Sequence, residues 1–331
     1  MRAAVTREPG TLPAITTLPD PEPGPGEVLI QVDAVGLCGT DLKLLDGMIP
    51  TVTYPLVQGH EVMGRVAGGE GPTGARVAVY IPQACGDCRW CARGLTNICP
   101  RATRMGFERP GGLAEYVVAR AENVVAVPAA VTDEMAAVTL DAVLSPYRAL
   151  KVRGEVGPGD RVVIVGGGGL GLHGVQIAIA LGARVAVVDL DPGKLETASR
   201  LGAEVGVLAA DEGTLGEWAP DGADVVMESS GAPAGFRLAT EVVRPGGTVV
   251  TCGYKPGSDA SSDSMRLAMD ELTIRGSKGG TRADADGALA LIAEGKVAPL
   301  IARTGGLDDV PAFVQDLRAG EQVGRLVVRP R

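Results

Sequence analysis

Four of the chain's six cysteines fall within one short stretch, CGDCRWCARGLTNIC, at residues 85–99. Their spacing is C-x2-C-x2-C-x7-C, and the members are Cys85, Cys88, Cys91 and Cys99. Two-residue gaps let a turn present successive sulfurs to one point, as a tetrahedral structural zinc requires. The spacing also leaves open a redox CxxC pair and an iron–sulfur site. Because a closed zinc site offers no position for a substrate, we expect the catalytic residues elsewhere.

A second pattern, in residues 160–191, is typical of a dinucleotide-binding turn. A short apolar run, 162–165, leads into Gly166, Gly168 and Gly171, which match G-x-G-x-x-G. The next predicted strand, 184–188, ends at Asp189, at the distance expected for an acid that binds a ribose diol. The glycines would let the backbone approach a pyrophosphate at a helix N-terminus. A chance glycine turn would give the same three residues, but the flanking strand, helix and acid favour a cofactor site.

The predicted cofactor is NAD rather than NADP. The Asp189 carboxylate can accept hydrogen bonds from the two ribose hydroxyls of NAD, whereas it would repel a 2′-phosphate. No arginine follows at 190–192 to offset that repulsion. Further predicted cofactor contacts are Gly169 and Leu170 at the glycine turn, and Lys194 at the start of the helix that follows Asp189.

The rest of this half of the chain continues in α/β style. We predict a helix over 194–201, a strand and loop over 223–231, and a strand over 246–254. Cys252 is expected inside that last strand as a small buried hydrophobe. His173 follows the last glycine of the pattern on the predicted cofactor helix, and we expect it to be a packing or surface residue. Alternating strands and helices of this kind predict a doubly wound parallel sheet.

Length and composition limit the kinds of protein that the chain can be. At 331 residues it is long enough for two domains. Its net charge of −9 argues against a surface that binds nucleic acid. Residues 162–183 carry no charged side chain but contain seven glycines, so we interpret them as a buried strand, turn and helix and not as a membrane span. The first residues lack the apolar stretch of a secretory peptide, which predicts a cytoplasmic protein that binds no membrane.

Several motifs in one order make the chain resemble the zinc-dependent medium-chain alcohol dehydrogenases. They are CGTD at 38–41, GHE at 59–61, the cysteine stretch, the glycine turn and VGRLVV at 323–328. The resemblance covers nearly the whole chain. The stretch DAVLSPYRAL, at 141–150, looks most like the bacterial secondary-alcohol dehydrogenases.

The resemblance implies a catalytic zinc held by Cys38, His60 and Asp141, in addition to the structural zinc. Thiolate and carboxylate would offset the charge of Zn²⁺, while a fourth position stays open for water or substrate. Glu61 would lie just behind the metal or act as an occasional ligand. Asp41 would fix the His60 tautomer by accepting its other N–H.

The resemblance also implies a route for the substrate proton. In this family zinc acts as a Lewis acid on the alcohol oxygen and NAD accepts hydride. Thr40 would pass the alcohol proton toward the nicotinamide ribose. Lys43 stands where many members have the histidine that ends this relay. Gly39 stands where some members have a basic residue, which leaves Arg325 as the candidate for binding the pyrophosphate.

The implied architecture is α/β with a discontinuous catalytic domain. A mainly β, barrel-like domain of the GroES-like type would comprise residues 1–146 and 279–331, and a Rossmann domain would comprise 147–278. Cofactor and zinc would meet in the cleft between the domains, where Ile49, Tyr80 and Met105 are candidates for lining the substrate pocket. The resemblance further implies a homodimer or homotetramer.

The predicted activity is hydride transfer between NAD(H) and an alcohol/carbonyl pair, with a secondary alcohol and its ketone, or an aldehyde, as substrate. A polyol or amino-sugar dehydrogenase with the same zinc and NAD machinery is the competing enzyme hypothesis. Two further hypotheses are a zinc-ribbon interaction protein and a zinc-free reductase. The cofactor pattern is evidence against the zinc ribbon, and Cys38, His60 and Asp141 together are evidence against the zinc-free reductase.

Overall fold

The computed structural model describes residues 1–209, 211–320 and 322–331. The chain divides into two compact units. The first comprises Met1–Asp141, Thr281–Ala293 and Pro299–Arg331, and the second comprises Ala142–Gly280 and Glu294–Ala298. The expected boundaries, 146/147 and 278/279, lie a few residues from these. The short return of 294–298 to the second unit was not expected. No helix in the described part of the chain is long and apolar enough to cross a membrane.

The first 141 residues form strands and short helices of the first unit. In chain order they are β1 (Arg2–Thr6), β2 (Ala14–Thr17), β3 (Glu27–Leu37), α1 (Gly39–Leu45), β4 (Leu56–Val57), β5 (Glu61–Gly69), β6 (Arg76–Val79), β7 (Pro82–Gln83), β8 (Thr103–Arg104), β9 (Tyr116–Arg120), β10 (Val124–Ala126) and α2 (Asp133–Val138).

The middle of the chain alternates strands with helices. Its elements are α3 (Leu144–Tyr147), β11 (Arg161–Val165), α4 (Gly169–Ala180), β12 (Arg184–Asp189), α5 (Pro192–Arg200), β13 (Val205–Leu208), α6 (Glu212–Trp218), β14 (Ala223–Glu228), α7 (Pro233–Val242), β15 (Val243–Thr251), α8 (Ser264–Met269) and β16 (Thr273–Gly276). The chain then ends with α9 (Arg282–Ala293), β17 (Ile301–Gly306), α10 (Val310–Ala319) and β18 (Arg325–Arg329).

The main sheet of the first unit is organised around the long strand β3. Its order is β10-β6-β5-β3-β18-β17, and β9 also pairs with β3. Along β3 the side chains are buried in alternation and then continuously towards its end, as expected for a strand that enters a core. Strands β5 and β18 both run antiparallel to β3. The end of β3 therefore lies beside the first residues of β5 and β18.

The second unit contains a parallel sheet in the order β13-β12-β11-β14-β15-β16. The chain first builds outward from β11 through β12 and β13, and then resumes on the other side of β11 with β14. The crevice between the carboxyl ends of β11 and β14 is thus the switch point at which such sheets bind ligands. The predicted doubly wound sheet and the mainly β character of the other unit are both confirmed.

The predicted elements of the second unit are present with shifted ends. Helix α5 begins two residues before the predicted 194, because the Asp191 side chain accepts from the Gly193 N–H and Pro192 suits the first turn. Strand β15 begins at Val243 and ends at Thr251, so the predicted strand over 246–254 is displaced. The expectation that Cys252 lies inside the strand is wrong, since it follows the last strand residue. His173 is fully buried on α4, as a packing residue would be.

Candidate functional site

Strand register brings four potential metal ligands together in the first unit. Cys38 follows the end of β3, Glu61 begins β5 opposite Gly36 of β3, and His60 precedes Glu61. Asp141 lies in a π-helical turn, Thr139–Val143, an irregularity frequent at functional sites. We call Cys38, His60, Glu61 and Asp141 the buried ligand cluster. One ligand atom from each lies within 4.8 Å of the ligand atoms of the others.

The distances in the buried ligand cluster suit one small cation. Cys38 Sγ lies 3.1 Å from His60 Nε2, and His60 Nε2 lies 3.9 Å from Asp141 Oδ2. A tetrahedron with zinc bonds of about 2.0–2.3 Å has edges of about 3.3–3.8 Å, so these separations are close to what zinc needs. The cluster's soft sulfur, imidazole and carboxylate also form a donor set that zinc prefers. The residues therefore fit a zinc ion.

Asp41 and the first turn of α1 contact two of the ligands, Cys38 and His60. The Asp41 carboxylate accepts from the Cys38 backbone N–H at 2.9 Å, and its other oxygen lies 3.4 Å from His60 Nδ1. Cys38 caps α1, and its sulfur accepts from the Thr40 N–H at 3.3 Å. Because Nδ1 of His60 points to Asp41, Nε2 is directed at the cluster, which is the arrangement expected for a metal-bound histidine.

Charge interactions within the cluster shift the pKa values of its members. Burial raises the pKa of the Cys38 thiol. Burial alone would lower the pKa of His60, but Cys38 and Asp41 outweigh it and raise that pKa well above its ordinary value. Burial alone would raise the pKa of Asp141, but the neighbouring His60 and Arg325 overcome it and lower that pKa. A divalent cation would compete with protons for Cys38 and His60 in particular.

Arg325, at the start of β18, supplies the fixed positive charge of the cluster. Its guanidinium lies 3.0 Å from Glu61 Oε1 and 3.1 Å from Asp141 Oδ2. Burial raises the pKa of Glu61 well above its ordinary value, with Arg325 opposing the rise and Asp141 adding to it. The Arg325 side chain thus pairs with two carboxylates of the cluster, and the sequence analysis did not anticipate these contacts. Its expected contact with the cofactor pyrophosphate stays a prediction.

Gly36 makes room for Glu61, and the sequence analysis missed this residue. A Cβ atom at Gly36 would lie 2.0 Å from Glu61 Oε2 and 2.8 Å from Val138 Cγ1. Both contacts are too short for a real Cβ, so any larger residue would have to displace both the Glu61 carboxylate and the Val138 side chain. The requirement arises from the pairing of Gly36 with Glu61 across two strands. In the sequence, the only sign of this requirement is the glycine itself, two residues before Cys38.

Phe107 is a second residue that the sequence analysis missed. Its ring packs against His60, with centroids 5.3 Å apart and planes tilted by 54°. The Arg104 guanidinium also lies over the ring, 4.1 Å from its centroid, and pairs with Glu108. The aromatic ring therefore limits the positions that the His60 imidazole can adopt.

Thr40 and Lys43 lie on α1, just beyond Cys38. Lys43 is half-buried, and desolvation lowers the pKa of its amine while the nearby Cys38 and Asp141 oppose that change. A lowered pKa increases the neutral fraction, the form of lysine that can accept a proton. Their expected roles in a proton relay stay predictions.

The four cysteines of residues 85–99 also converge. The Cys88–Cys91 and Cys85–Cys99 sulfurs are 3.4 Å apart, and the Cys85–Cys91 and Cys88–Cys99 sulfurs are 3.8 Å apart. A ZnS4 tetrahedron with bonds of about 2.3 Å has edges of about 3.8 Å. Cysteine sulfurs that bind different irons of an iron–sulfur cluster lie farther apart than these four do. A redox pair uses only two thiols, whereas here four lie together. The donor set therefore fits a single structural zinc.

The glycine turn of the second unit has the close approaches that its sequence predicts. Gly166 has φ +97°, a conformation that favours glycine. A Cβ atom at Gly171 would lie 1.8 Å from the Gly166 carbonyl oxygen, so helix α4 can pack against the turn only with glycine there. The neighbouring Gly168 precedes α4, whose first turn comprises Gly169, Leu170 and Gly171. The turn thus has the form of a pyrophosphate site.

Asp189 ends β12 beside this turn. Its Oδ2 accepts from the Gly167 N–H at 2.6 Å and its Oδ1 from the Asp191 N–H at 2.9 Å. Each carboxylate oxygen retains a further lone pair that a ribose hydroxyl could use. Lys194 lies on α5, and its Cβ is 3.2 Å from the position of a Cβ added at Gly167. The predicted cofactor residues are therefore neighbours.

The three candidates for the substrate pocket differ in their surroundings. Met105 is fully buried in the core of the first unit, so the expectation that it lines an open pocket is wrong. Tyr80 is 4% exposed, and its hydroxyl lies 3.2 Å from Thr96 Oγ1. Ile49 is partly buried and packs against the cluster that contains Phe107. Ile49 thus packs in the same group of apolar side chains as Phe107, which contacts His60.

The chain is similar in sequence and in fold to known dehydrogenases. Residues 24–129 match the alcohol dehydrogenase GroES-like domain, and residues 169–294 match the zinc-binding dehydrogenase family. The chain is 36% identical to an alcohol dehydrogenase of Moraxella sp. (strain TAE123), over 99% of both chains. It is 33% identical to L-galactonate-5-dehydrogenase of Escherichia coli (strain K12), over 84% of this chain and 83% of that protein.

A solved structure extends the similarity to the coordinates. Acetophenone reductase from Geotrichum candidum NBRC 4597, in complex with NAD, matches 99% of this chain and 96% of its own. The TM-score is 0.88 at 33% sequence identity. With the two zinc-ligand sets and the glycine turn, these similarities lead to one conclusion. The chain belongs to the zinc-dependent medium-chain alcohol dehydrogenase family.

Proposed function

We propose that the protein is a zinc- and NAD-dependent dehydrogenase that interconverts an alcohol and its carbonyl compound at the buried ligand cluster. The observation that carries this proposal is the convergence of Cys38, His60 and Asp141 ligand atoms within 4.8 Å, behind which Asp41 and Arg325 are fixed. When bound, zinc supplies Lewis acidity towards the substrate oxygen and NAD supplies the hydride acceptor.

The chain's own residues would divide the remaining work. Cys38, His60 and Asp141 hold the ion, and Asp41 keeps the His60 tautomer that directs Nε2 to it. Arg325 offsets the negative charge of Glu61 and Asp141. Thr40, which lies in the first turn of α1 close to Cys38, would receive the alcohol proton.

The proposed substrate class is a secondary alcohol and its ketone. Support comes from the resemblance of residues 141–150 to secondary-alcohol dehydrogenases and from the similar acetophenone reductase, whose ketone gives a secondary alcohol. A polyol or sugar acid is the second candidate, favoured by the similarity to L-galactonate-5-dehydrogenase. NADH formation with a panel of primary, secondary and polyhydroxylated alcohols tests the choice. A higher kcat/KM for polyols than for simple secondary alcohols would contradict the first proposal.

We expect Thr40→Ala to reduce kcat about 10²-fold or more, as for the loss of a general acid–base step. Thr40→Ser keeps a hydroxyl and should retain most of the activity. Steady-state kinetics with a single alcohol measure both effects. Equal losses in the two variants would assign Thr40 to packing.

Lys43 is proposed to take the final step of the relay. Its pKa is lowered by burial, so a larger fraction of the amine is neutral near pH 7 than for an exposed lysine. We expect Lys43→Ala to lower kcat mostly at low pH, where solvent base is scarce, and Lys43→His to restore most of it. The pH dependence of kcat in the three proteins measures this. Unchanged profiles would remove Lys43 from the relay.

Asp189 is proposed to select NAD. Asp189→Ala should narrow the ratio of kcat/KM for NAD over NADP, because the substitution removes both the diol acceptor and the charge that repels a 2′-phosphate. Kinetics with each cofactor at saturating alcohol give the ratio. A higher kcat/KM with NADP in the unmodified enzyme would contradict this role.

We also propose a homo-oligomer that works in the cytoplasm. Strand β16 ends the sheet order of the second unit, and Met265 and Met269, on the preceding helix α8, are 70% and 75% exposed. Exposed methionines beside a sheet edge suit a second copy better than solvent. Light scattering gives the molar mass in solution.

Free thiols clustered for metal binding suit a reducing compartment such as the cytoplasm, and fractionation of the native cells tests that location.

A further inference from the structure

Glu228 is a buried carboxylate at the end of β14 in the second unit, and the sequence analysis gave it no role. The residue is 1% exposed. Oε1 accepts hydrogen bonds from the Ser230 N–H at 2.8 Å, the Ser230 hydroxyl at 2.5 Å and the Gly231 N–H at 2.9 Å. Oε2 accepts from the Thr251 hydroxyl at 3.3 Å. Glu228 thus fixes the backbone of residues 229–231, which we call the β14 loop.

The β14 loop is attached directly to the glycine turn. The Ser229 hydroxyl lies 3.0 Å from the Val165 carbonyl oxygen and 2.9 Å from that of Gly166. The Ser229 N–H also donates to the Val165 carbonyl, at 2.9 Å. A Cβ atom at Gly166 would lie 3.0 Å from the Ser230 nitrogen. A shift of the β14 loop by a few tenths of an ångström would therefore move the glycine turn or break these bonds.

The end of β15 packs against the same loop. The Cys252 and Gly253 N–H groups donate to the Glu228 carbonyl at 2.9 and 3.1 Å. A Cβ atom at Gly253 would lie 2.4 Å from the Gly231 nitrogen. The loops that follow β11, β14 and β15 thus meet with glycines at their contacts, and Glu228 is the buried acceptor among them.

We infer that Glu228 is a positioning residue for the dinucleotide, because it holds the β14 loop as one wall of the crevice whose other wall is the glycine turn. The switch point of this sheet lies between β11 and β14, where doubly wound sheets bind their ligands. Loss of the carboxylate would leave the Ser230 and Gly231 N–H groups without the acceptor that fixes them, so the loop would be free to rearrange. The inference rests on the proposed NAD binding at residues 166–171.

The test compares NADH dissociation constants of the zinc-loaded enzyme and its variants by fluorescence titration. Glu228→Met keeps the side-chain volume but removes both acceptors, and we expect NADH to bind about ten-fold or more weakly. Glu228→Gln retains the oxygen that accepts three hydrogen bonds, while its amide can donate to Thr251, so binding should stay within about three-fold. Ser229→Ala removes the hydroxyl's hydrogen bonds to the Val165 and Gly166 carbonyls but keeps the backbone bond to Val165, and it should weaken NADH binding by about three-fold or more.

A matched control lies at the other end of the same strand. The Asp224 carboxylate accepts from the Arg161 N–H at 2.8 Å and from Arg244 at 2.7 Å, at the amino end of β14. Asp224→Asn should lower thermal stability without changing the NADH dissociation constant, because it lies at the edge of the sheet opposite the switch point. If Glu228 served stability alone, Glu228→Met and Asp224→Asn would bind NADH with the same dissociation constant when compared at equal thermal stability.

Three outcomes overturn the inference. The first is wild-type NADH affinity in a folded Glu228→Met variant, the second is wild-type affinity in a folded Ser229→Ala variant, and the third is equal weakening by Asp224→Asn. Failure of the proposed function is recognised separately, by a lack of NADH binding to the unmodified enzyme. If Asp189→Ala and Glu228→Met both leave NADH affinity unchanged, the cofactor binds elsewhere, whereas an effect of Asp189→Ala alone rejects only the role of Glu228.

Discussion

His60→Ala is expected to lower kcat/KM by about 10³-fold or more and to remove one zinc ion per chain. The imidazole is the neutral donor of the buried ligand cluster, held between Asp41 and the Phe107 ring. Its loss removes the imidazole donor and leaves the Cys38 thiol with the two carboxylates of Glu61 and Asp141, a more negative donor set in which Glu61 is already paired with Arg325. Metal analysis and steady-state kinetics on the same preparation measure the two effects.

Controls separate loss of the metal from loss of the fold. Asp141→Asn should reproduce the effect of His60→Ala, since it weakens another ligand. Asp133→Asn is the matched control, because Asp133 is a carboxylate of the same unit that pairs with Arg76 at 2.6 Å outside the cluster. It should retain both zinc ions and its activity. Full activity of His60→Ala with both zinc ions bound would contradict the assignment of the cluster.

Cys88→Ser is expected to lower the melting temperature by about 10 °C or more while the remaining folded enzyme stays active. A structural zinc contributes several kcal/mol to folding, and a change of about 1 kcal/mol corresponds to a few degrees in a chain of this size. Hydrogen bonding from the Cys91 backbone lowers the pKa of Cys88 to about 6, which favours the thiolate that binds zinc. Thermal unfolding, combined with metal analysis, measures the change.

The matched control for Cys88 is Cys252→Ser. Cys252 is a cysteine outside both ligand sets, so this variant should keep both zinc ions. An unaltered melting temperature in Cys88→Ser, with one zinc ion lost, would show that residues 85–99 do not depend on a metal for their structure.

Local patterns predicted the second unit well because its signals are contiguous. The turn residues Gly166 and Gly171 are required by contacts within a few residues of each other, and Asp189 follows the next strand. Strand ends were less predictable. Val243 pairs with Ala223 across the sheet, so β15 starts before Gly246, where its own sequence suggests a turn.

The buried ligand cluster was predicted only through resemblance, and incompletely. Cys38 and His60 lie in recognisable motifs, but the space for Glu61 depends on Gly36 in a neighbouring strand. The pairing of Arg325 with Glu61 and Asp141 depends on where β18 joins β3. Strand register of this kind is set by the tertiary fold, and a single sequence does not display it.

The position of Arg325 has a consequence for how the protein is made. Arg325 follows Asp141 by 184 residues, and β18 pairs with β3 near the beginning of the chain. During synthesis the sheet of the second unit can therefore be completed while the first unit still lacks its last strands. Until β18 leaves the ribosome, Glu61 and Asp141 have no arginine partner. The ion pairs of Arg325 with Glu61 and Asp141 are therefore among the last contacts of the first unit that can form during synthesis.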